Sequence, residues 1–228
     1  MRTLFKFILV LTLCIPFYGI SQGFRLSNGK KFEKVNFKLI NNLIIIPIEV
    51  NGAKLSFILD SGVSKPILFN VSDQDSVQLR NVSEITIKGL GGGQPINGLS
   101  SKDNFFRLNE IRNYNQLLYV VLDKEMNFSP SLGIPIHGII GYDLFRDFVV
   151  EINYSAEYIK FHDPEFYKEK ENKKSQTLPI AIRRNRAYIE GNIVLGTTKD
   201  VPVKLLIDTG STDAVLSLIH ISEPTRLC

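Results

Sequence analysis

Leu55-Ser56-Phe57-Ile58-Leu59-Asp60-Ser61-Gly62 is an apolar run that ends in an acid, a hydroxyl residue and a glycine. The same pattern recurs as Val203-Lys204-Leu205-Leu206-Ile207-Asp208-Thr209-Gly210. A further hydroxyl residue follows each copy, at Ser64 and at Thr212. The distance between the copies corresponds to about one small domain. The repeat therefore predicts two duplicated lobes, each of which delivers one carboxylate.

The residues before each acid predict a β-hairpin. Residues 43–50 and 54–59 are apolar runs separated by Asn51-Gly52, which is the strongest short signal for a hairpin. Residues 187–195 and 201–207 repeat this arrangement before the second acid. Each acid is thus expected just beyond the second strand of a hairpin.

The rest of the first lobe also has the pattern of β-structure. Strands are predicted at 82–87, 105–111 and 117–122, and a further hairpin at 148–161. One short helical turn is predicted at 142–145. Few windows show sustained helical periodicity, so the chain is expected to be mostly β.

The first 23 residues have the pattern of an export signal. Arg2 and Lys6 precede a short apolar stretch at 7–15, and small residues that suit a cleavage site follow. The stretch is too short to span a membrane comfortably, so no stable membrane insertion is expected after its removal. Lipidation at Cys14 is disfavoured because the bulky Leu13 precedes it. The protein is therefore expected to be exported, either to the periplasm or as a secreted protein.

The composition indicates a globular protein with a real core. The 228 residues are 44% hydrophobic, and the formal net charge is +4. The basic residues are scattered, and acids interrupt them in the charged stretch 168–174, so nothing favours nucleic acid as a partner. Cys14 and Cys228 are the two cysteines, which leaves the mature body without a disulfide or a thiolate cluster for zinc.

These patterns divide the chain into six segments. They are a signal peptide (1–23), an N-terminal lead-in (24–42), a first lobe (43–163), a charged linker (164–178), the start of a second lobe (179–216) and a tail (217–228). The tail resembles translated sequencing-adapter read-through. The natural protein is therefore expected to continue differently after about Leu216, and the 228-residue form is expected to be inactive.

The acid motifs and two later motifs resemble the aspartic protease superfamily, in particular exported bacterial retropepsin-like proteins. In that family a strand ending in Asp-Thr/Ser-Gly is followed by a glycine-rich flap and by a bracing apolar-apolar-Gly strand. The first lobe matches all three in order, with residues 58–62, residues 89–93 and Ile139-Ile140-Gly141. The resemblance implies a retropepsin/pepsin-like acid protease barrel, with one complete lobe and the start of a second, and a possible PDZ module in the full-length protein. The flap residues are Gly89, Leu90, Gly91, Gly92 and Gly93.

A pair of carboxylates at Asp60 and Asp208 suits the hydrolysis of a peptide bond. Two carboxyl groups about 3 Å apart cannot both ionise cheaply, so the pair keeps one shared proton. The charged member activates a water, and the protonated member donates a hydrogen bond to the developing oxyanion. This chemistry needs no metal or other cofactor, and His137 and His162 lack the spacing of metal ligands. The expected partner is a peptide or protein substrate.

The residues around the acids are expected to support the pair. Gly62 and Gly210 let the chain turn tightly and expose backbone N–H groups to the carboxylates. The resemblance implies that Ser61 and Thr209 hydrogen-bond across the junction of the lobes and set the separation of the acids. Two further hydroxyl residues are expected to donate to the outer carboxylate oxygens: Ser64 and Thr212.

Other interpretations of the same motifs stay open. Asp60 and Asp208 also suit plain turn acids after strands, and residues 89–93 suit an ordinary loop. A first lobe that pairs with a second copy of itself would leave Asp208 idle. A non-catalytic exported protein that keeps the barrel and binds peptides is a further alternative.

Overall fold

The computed structural model describes residues 23–27, 29–69, 77–87, 95–122, 128–169, 174–195 and 199–213. The predicted signal up to residue 22, the glycine-rich segment 89–93 and the tail 217–228 lie outside these ranges. Within these ranges the chain is mostly β, as the sequence predicts. Neither of its two short helices has the length or apolar character needed to cross a membrane. The strands are β1 (Arg25–Leu26), β2 (Phe32–Asn36), β3 (Lys38–Ile40), β4 (Leu43–Val50), β5 (Ala53–Leu59), β6 (Ile67–Leu68), β7 (Val82–Ile87), β8 (Ile96–Leu108), β9 (Ile111–Val121), β10 (Gly138–Ile140), β11 (Val149–Asn153), β12 (Tyr158–His162), β13 (Ala181–Arg183), β14 (Arg186–Leu195) and β15 (Lys199–Leu206). The helices are α1 (Ser129–Leu132) and α2 (Tyr142–Asp147).

Six strands of the first lobe close into a ring. Their order is β9, β6, β10, β5, β4 and β8, and β8 pairs back with β9. Strands β1, β3 and β7 extend this sheet at β9, β4 and β8. The pairs β10–β5 and β6–β9 are parallel, whereas the other pairs of the ring are antiparallel. The mostly β barrel predicted from the sequence is therefore confirmed for the first lobe.

The core of the first lobe lies on both faces of β4 and β5. Ile46 and Phe57 are cross-strand neighbours on one face and have no exposed surface. Ile45 and Ile58 are neighbours on the opposite face and are also buried. Complete burial of such a side chain stabilises the fold by about 1.5–3 kcal/mol. Burial on both faces explains why the last three residues before Asp60, residues 57–59, are all apolar instead of alternating with polar residues.

The turns of the first lobe follow residue types that tolerate a positive φ. Asn51 and Gly52 join β4 to β5 with φ 49 and 95, which confirms the predicted hairpin. The predicted strand 105–111 is wrong, because β8 ends at Leu108 and Asn109, with φ 52, turns the chain into β9. Apolar residues on both sides of this turn concealed it in the sequence.

The segment predicted as a lead-in, 24–42, contains β1, β2 and β3, which pair with strands of the first lobe. β1 pairs with β9, β3 pairs with β4, and β2 joins β11 and β12 in a three-stranded sheet. Val35 and Phe37 are buried although polar residues flank them. The segment is therefore an amphipathic part of the barrel surface, and its polar residues face solvent.

β13, β14 and β15 form a separate antiparallel sheet that contains the second predicted hairpin. No described side chain between 174 and 213 is buried. Leu178, Ile180 and Ile182 each expose at least half of their surface. Among the described residues, this second unit therefore has strands and a hairpin but no core of its own.

Candidate active site

Asp60 is placed by the strand before it and by a neighbouring strand. β5 ends at Leu59, and Ile140 of β10 pairs with Leu59 in parallel. The Asp60 N–H donates to the Ile140 carbonyl at 2.8 Å. Gly141 follows, and a Cβ on this residue would overlap the Asp60 carbonyl oxygen. The Ile-Ile-Gly segment therefore braces the loop that carries the first acid.

Each acid receives a hydrogen bond from the glycine two residues later. The Gly62 N–H donates to Asp60 Oδ1 at 2.7 Å, and the Gly210 N–H donates to Asp208 Oδ1 at 2.9 Å. Asp208 lies two residues beyond the end of β15, where its loop repeats the first one. The two sequence motifs thus share one local geometry.

The carboxyl groups of Asp60 and Asp208 are adjacent and hydrogen-bonded to each other. A Cβ on Gly62 would lie 3.0 Å from Asp60 Oδ1 and 3.2 Å from Asp208 Cγ. A Cβ on Gly210 would overlap the Asp60 carboxyl group. Both glycines are needed here for space, because a side chain at either position would push the two acids apart.

The surroundings of Asp60 favour its protonated form. Burial, and after it the neighbouring Asp208 carboxyl, raise the pKa of Asp60 from 3.8 to about 7. The N–H groups of Gly62 and Val63 stabilise the charged form and oppose this rise. Asp60 therefore holds a proton at pH values where an ordinary aspartate is ionised. One proton on two adjacent carboxyls is the state that acid–base catalysis by such a pair requires.

Ser61 and Thr209 join the two motifs through four hydrogen bonds. The Ser61 hydroxyl donates to the Ile207 carbonyl at 2.7 Å, and the Thr209 hydroxyl donates to the Leu59 carbonyl at 2.8 Å. In return, the backbone N–H of each residue donates to the hydroxyl oxygen of the other at 3.1 Å. The contact across the junction that the resemblance implies is therefore present, and it fixes the relative position of the two acids.

The Ser64 and Thr212 hydroxyls are expected from the sequence to donate to the outer carboxylate oxygens. Within the described ranges, neither hydroxyl is hydrogen-bonded to a carboxyl of the pair, whose nearest donors are the glycine N–H groups. These N–H groups belong to the same tight turn as the acids, whereas Ser64 and Thr212 are four residues away along the chain. The expected donation from these two hydroxyls stays a prediction.

Asp143 is a residue near the site that sequence reasoning missed. It lies in α2, shortly after the Gly141 brace, and is 2% exposed. Its carboxylate accepts hydrogen bonds from Lys65 Nζ at 3.2 Å, Arg146 Nη1 at 3.0 Å and Gln116 Nε2 at 2.8 Å. These bonds fasten α2 to the loop that follows the first acid. The Asp-x-x-Arg spacing within α2 was the local signal available in the sequence.

Arg186 reaches the site from the second unit and was also missed. It is the first residue of β14, and its Nε donates to the Gly62 carbonyl at 2.8 Å. Gly62 is the residue whose N–H binds Asp60. A basic turn is usually a solvated surface feature, so the sequence did not distinguish Arg186 from the arginines beside it.

The described part of the chain contains a cavity of about 560 Å³ that lies elsewhere. Its walls come from residues 23–27, 29–31, 147–148 and 163–166, and include none of the residues around the carboxyl pair. Within the same ranges, no three His, Cys, Asp or Glu side chains are grouped so as to hold a metal ion. The candidate active site is therefore defined by the carboxyl pair.

An aspartyl protease family model matches residues 46–144. The matched span includes Asp60, Gly141 and Asp143 but is less than half of the chain. Among solved structures, the chain is similar to a retropepsin-like aspartic protease from Rickettsia conorii, with 14% sequence identity and a TM-score of 0.43. This similarity covers 63% of the present chain and 96% of that chain. No curated protein matches the sequence.

The family match and the geometry agree on the first lobe. Both centre on Asp60, its Ser-Gly neighbours and the Gly141 brace. Asp208 lies beyond the matched span, so its place beside Asp60 rests on the contacts described above.

Proposed function

We propose that the protein is an aspartic endopeptidase, which hydrolyses peptide bonds with a water activated between Asp60 and Asp208. The observation that carries the proposal is the hydrogen-bonded carboxyl pair, in which the pKa of Asp60 is about 7. The reciprocal bonds of Ser61 and Thr209 support it, because catalysis requires the two acids to be held in place before the substrate binds. The aspartyl protease match over the first lobe supports the same reaction class.

The proposed hydrolysis returns the pair to its starting state. The charged carboxylate takes a proton from water as the water oxygen attacks the scissile carbonyl carbon, and the protonated carboxyl gives its proton to the carbonyl oxygen. The new carboxyl then protonates the amide nitrogen, while the other carboxylate takes back a proton from the tetrahedral centre. The C–N bond breaks, and a carboxylic acid and an amine are released. The pair acts as a unit, so the steps are not divided between Asp60 and Asp208.

The contacts within one chain favour Asp208 over a second copy as the partner of Asp60. In a homodimer of first lobes, Ser61 would have to contact its own counterpart. Ser61 instead binds Ile207 and Thr209 of the same chain. The Ser61 N–H and hydroxyl are therefore already used by contacts within one chain.

Cleavage of a quenched fluorescent peptide library by the product of the complete natural gene tests this function. Cleavage is expected at acidic pH, with a decline as the pH passes about 7 and the pair loses its shared proton. Asp60→Asn and Asp208→Asn are each expected to lower kcat/KM by about 10²–10⁴-fold, because a single carboxyl cannot serve as both acid and base. Glu190→Gln, at an exposed acid of β14, is the control and is expected to keep activity.

Two outcomes would contradict the proposal in different ways. Cleavage by Asp60→Asn at the wild-type rate would exclude the carboxyl mechanism. Saturable peptide binding by the wild-type protein without cleavage at any pH would identify the non-catalytic peptide-binding alternative instead.

We also propose that the protein works outside the cytoplasm. The charged start at Arg2 and Lys6 and the apolar stretch 7–15 support this location. Mass spectrometry of the protein from its natural host is expected to find a mature chain that begins close to residue 23. An uncleaved chain in the cytoplasmic fraction would contradict export.

A further inference from the structure

The two lobes contain equivalent turns that differ in chemistry. In the turn between β3 and β4, Asn41 and Asn42 have φ 50 and 64. In the turn between β13 and β14, Arg184 and Asn185 have φ 50 and 61. In each case the residues that flank the turn are a cross-strand pair. Leu43 and Arg186, the first residues of β4 and β14, therefore occupy equivalent positions. The two turn sequences are Ile40-Asn41-Asn42-Leu43 and Arg183-Arg184-Asn185-Arg186.

Leu43 and Arg186 have different surroundings. Leu43 is 7% exposed and packs in the core with Ile45 and Ile58. Arg186 is half-buried and crosses to the other lobe, where its Nε donates to the Gly62 carbonyl. The guanidinium has no other hydrogen-bond or ion-pair partner among the described residues. Within the described ranges, the N–H donors of its two terminal nitrogens are therefore not used by the protein.

Arg186 is close to the reacting groups and lies in a positively charged turn. Gly62 accepts its hydrogen bond and donates to Asp60 Oδ1 at 2.7 Å, so a single residue separates the guanidinium from the carboxyl pair. An extended peptide advances about 3.3 Å per residue, so substrate side chains within about three residues of the scissile bond are within reach. Arg183 and Arg184 are exposed at the same turn and carry no acidic neighbour within it.

We propose that Arg186 binds a carboxylate of the substrate and makes the enzyme selective for Glu or Asp near the scissile bond. The inference rests on the proposed endopeptidase function. A guanidinium is always charged and binds a carboxylate through two parallel hydrogen bonds, which Gln or Asn in the substrate cannot reproduce. The bond to Gly62 already orients the Arg186 side chain, so little rotamer freedom is lost when the substrate binds.

Matched peptides measure this selectivity in the product of the complete natural gene. A cleaved peptide is varied one position at a time, with Glu compared with Gln on both sides of the scissile bond. At one position the Glu peptide is expected to have a kcat/KM about 10–100-fold higher than its Gln counterpart. Arg186→Leu, which installs the residue of the first lobe, is expected to bring this ratio to about one, and Arg186→Lys to keep part of it. Arg183→Leu, in the same turn, is the control and is expected to keep the wild-type ratio.

Each outcome of the experiment decides the inference. A wild-type enzyme without a Glu preference, or a preference that survives in Arg186→Leu, would overturn it. If Arg186→Leu does not fold, as judged by circular dichroism, the ratio in Arg186→Lys decides: a ratio below the wild-type ratio supports the inference, and an unchanged ratio overturns it. If no peptide is cleaved at all, the endopeptidase function fails. Fluorescence anisotropy then measures how tightly the same labelled Glu and Gln peptides bind to Asp60→Asn protein, and the difference between the two affinities decides the inference. A Glu preference in binding that is reduced in the double variant with Arg186→Lys supports the inference, whereas an unchanged preference, or equal binding of Glu and Gln peptides to Asp60→Asn protein, overturns it.

Discussion

Asp60 lies where its surroundings oppose its ionisation. Burial and the Asp208 carboxyl raise the pKa of Asp60 to about 7, compared with an ordinary value of 3.8. Both causes disappear in the unfolded chain. Between about pH 4 and pH 7 the native state therefore binds a proton that the unfolded state has released. Because unfolding releases this proton, a rise in pH through this window lowers the free energy of unfolding.

We expect the free energy of unfolding of the wild type to fall relative to that of Asp60→Asn between pH 4 and pH 7. The fall is at most about 1.4 kcal/mol per pH unit, because one group titrates. Urea denaturation followed by circular dichroism at each pH measures this difference. Glu84→Gln, at an exposed acid of β7, is expected to keep the wild-type slope. Parallel curves for the wild type and Asp60→Asn would show that the native pair does not hold the proton.

Gly141 is required for space. A Cβ on this residue would overlap the Asp60 carbonyl oxygen. We expect Gly141→Ala to destabilise the protein by about 3 kcal/mol or more, because the buried loop or its brace has to move. Gly191→Ala in β14 is the matched control, since a Cβ there meets nothing within 4 Å, and its effect is expected to stay within about 0.5 kcal/mol. Equal thermal stability of the two variants would contradict the brace.

The loops that carry the two acids are held by elements on both sides. Toward the second unit, the Ser61 and Thr209 hydroxyls each satisfy backbone groups of the opposite loop. On the outer side, buried Asp143 connects α2 to Lys65 in the loop after Asp60. Each hydroxyl both donates and accepts, so the removal of one leaves backbone groups without partners at the junction.

A double-mutant cycle at Ser61 and Thr209 tests whether the junction acts as one unit. Ser61→Ala and Thr209→Val are each expected to lower the free energy of unfolding by about 1–2 kcal/mol. The double variant is expected to lose less than the sum, by at least about 0.5 kcal/mol, because either single change already loosens the shared junction. Ser83→Ala, at an exposed hydroxyl of β7, is the control and is expected to have little effect. Strict additivity in urea denaturation would mean that the two hydroxyls act independently.

Across the whole molecule, local signals made the acid motifs and their hairpins predictable. The positive φ at Asn51 and Gly52 follows from residue type, and the apolar run before Asp60 follows from burial on both faces of β4 and β5. Contacts between distant segments were not predictable in this way. Lys65 and Asp143 are 78 residues apart, and Gly62 and Arg186 are 124 residues apart. Such pairs depend on how the barrel closes and on how its loops meet the second unit, which periodicity does not encode.

The two hairpins before the acids also allow the effects of hydrogen bonding and burial to be separated. β4–β5 and β14–β15 are both regular antiparallel ladders, but the first lies in the core and no described side chain of the second is buried. Opening of the second hairpin therefore exposes little new apolar surface, whereas opening of the first requires loss of the core. We expect the hydrogen-bonded amides of β14–β15 to exchange with solvent deuterium at least about 100-fold faster than those of β4–β5, after correction for intrinsic rates. Hydrogen-exchange mass spectrometry of overlapping peptides from both hairpins measures these rates. Equal exchange rates for the two hairpins would show that the apolar face of the second sheet is covered in solution.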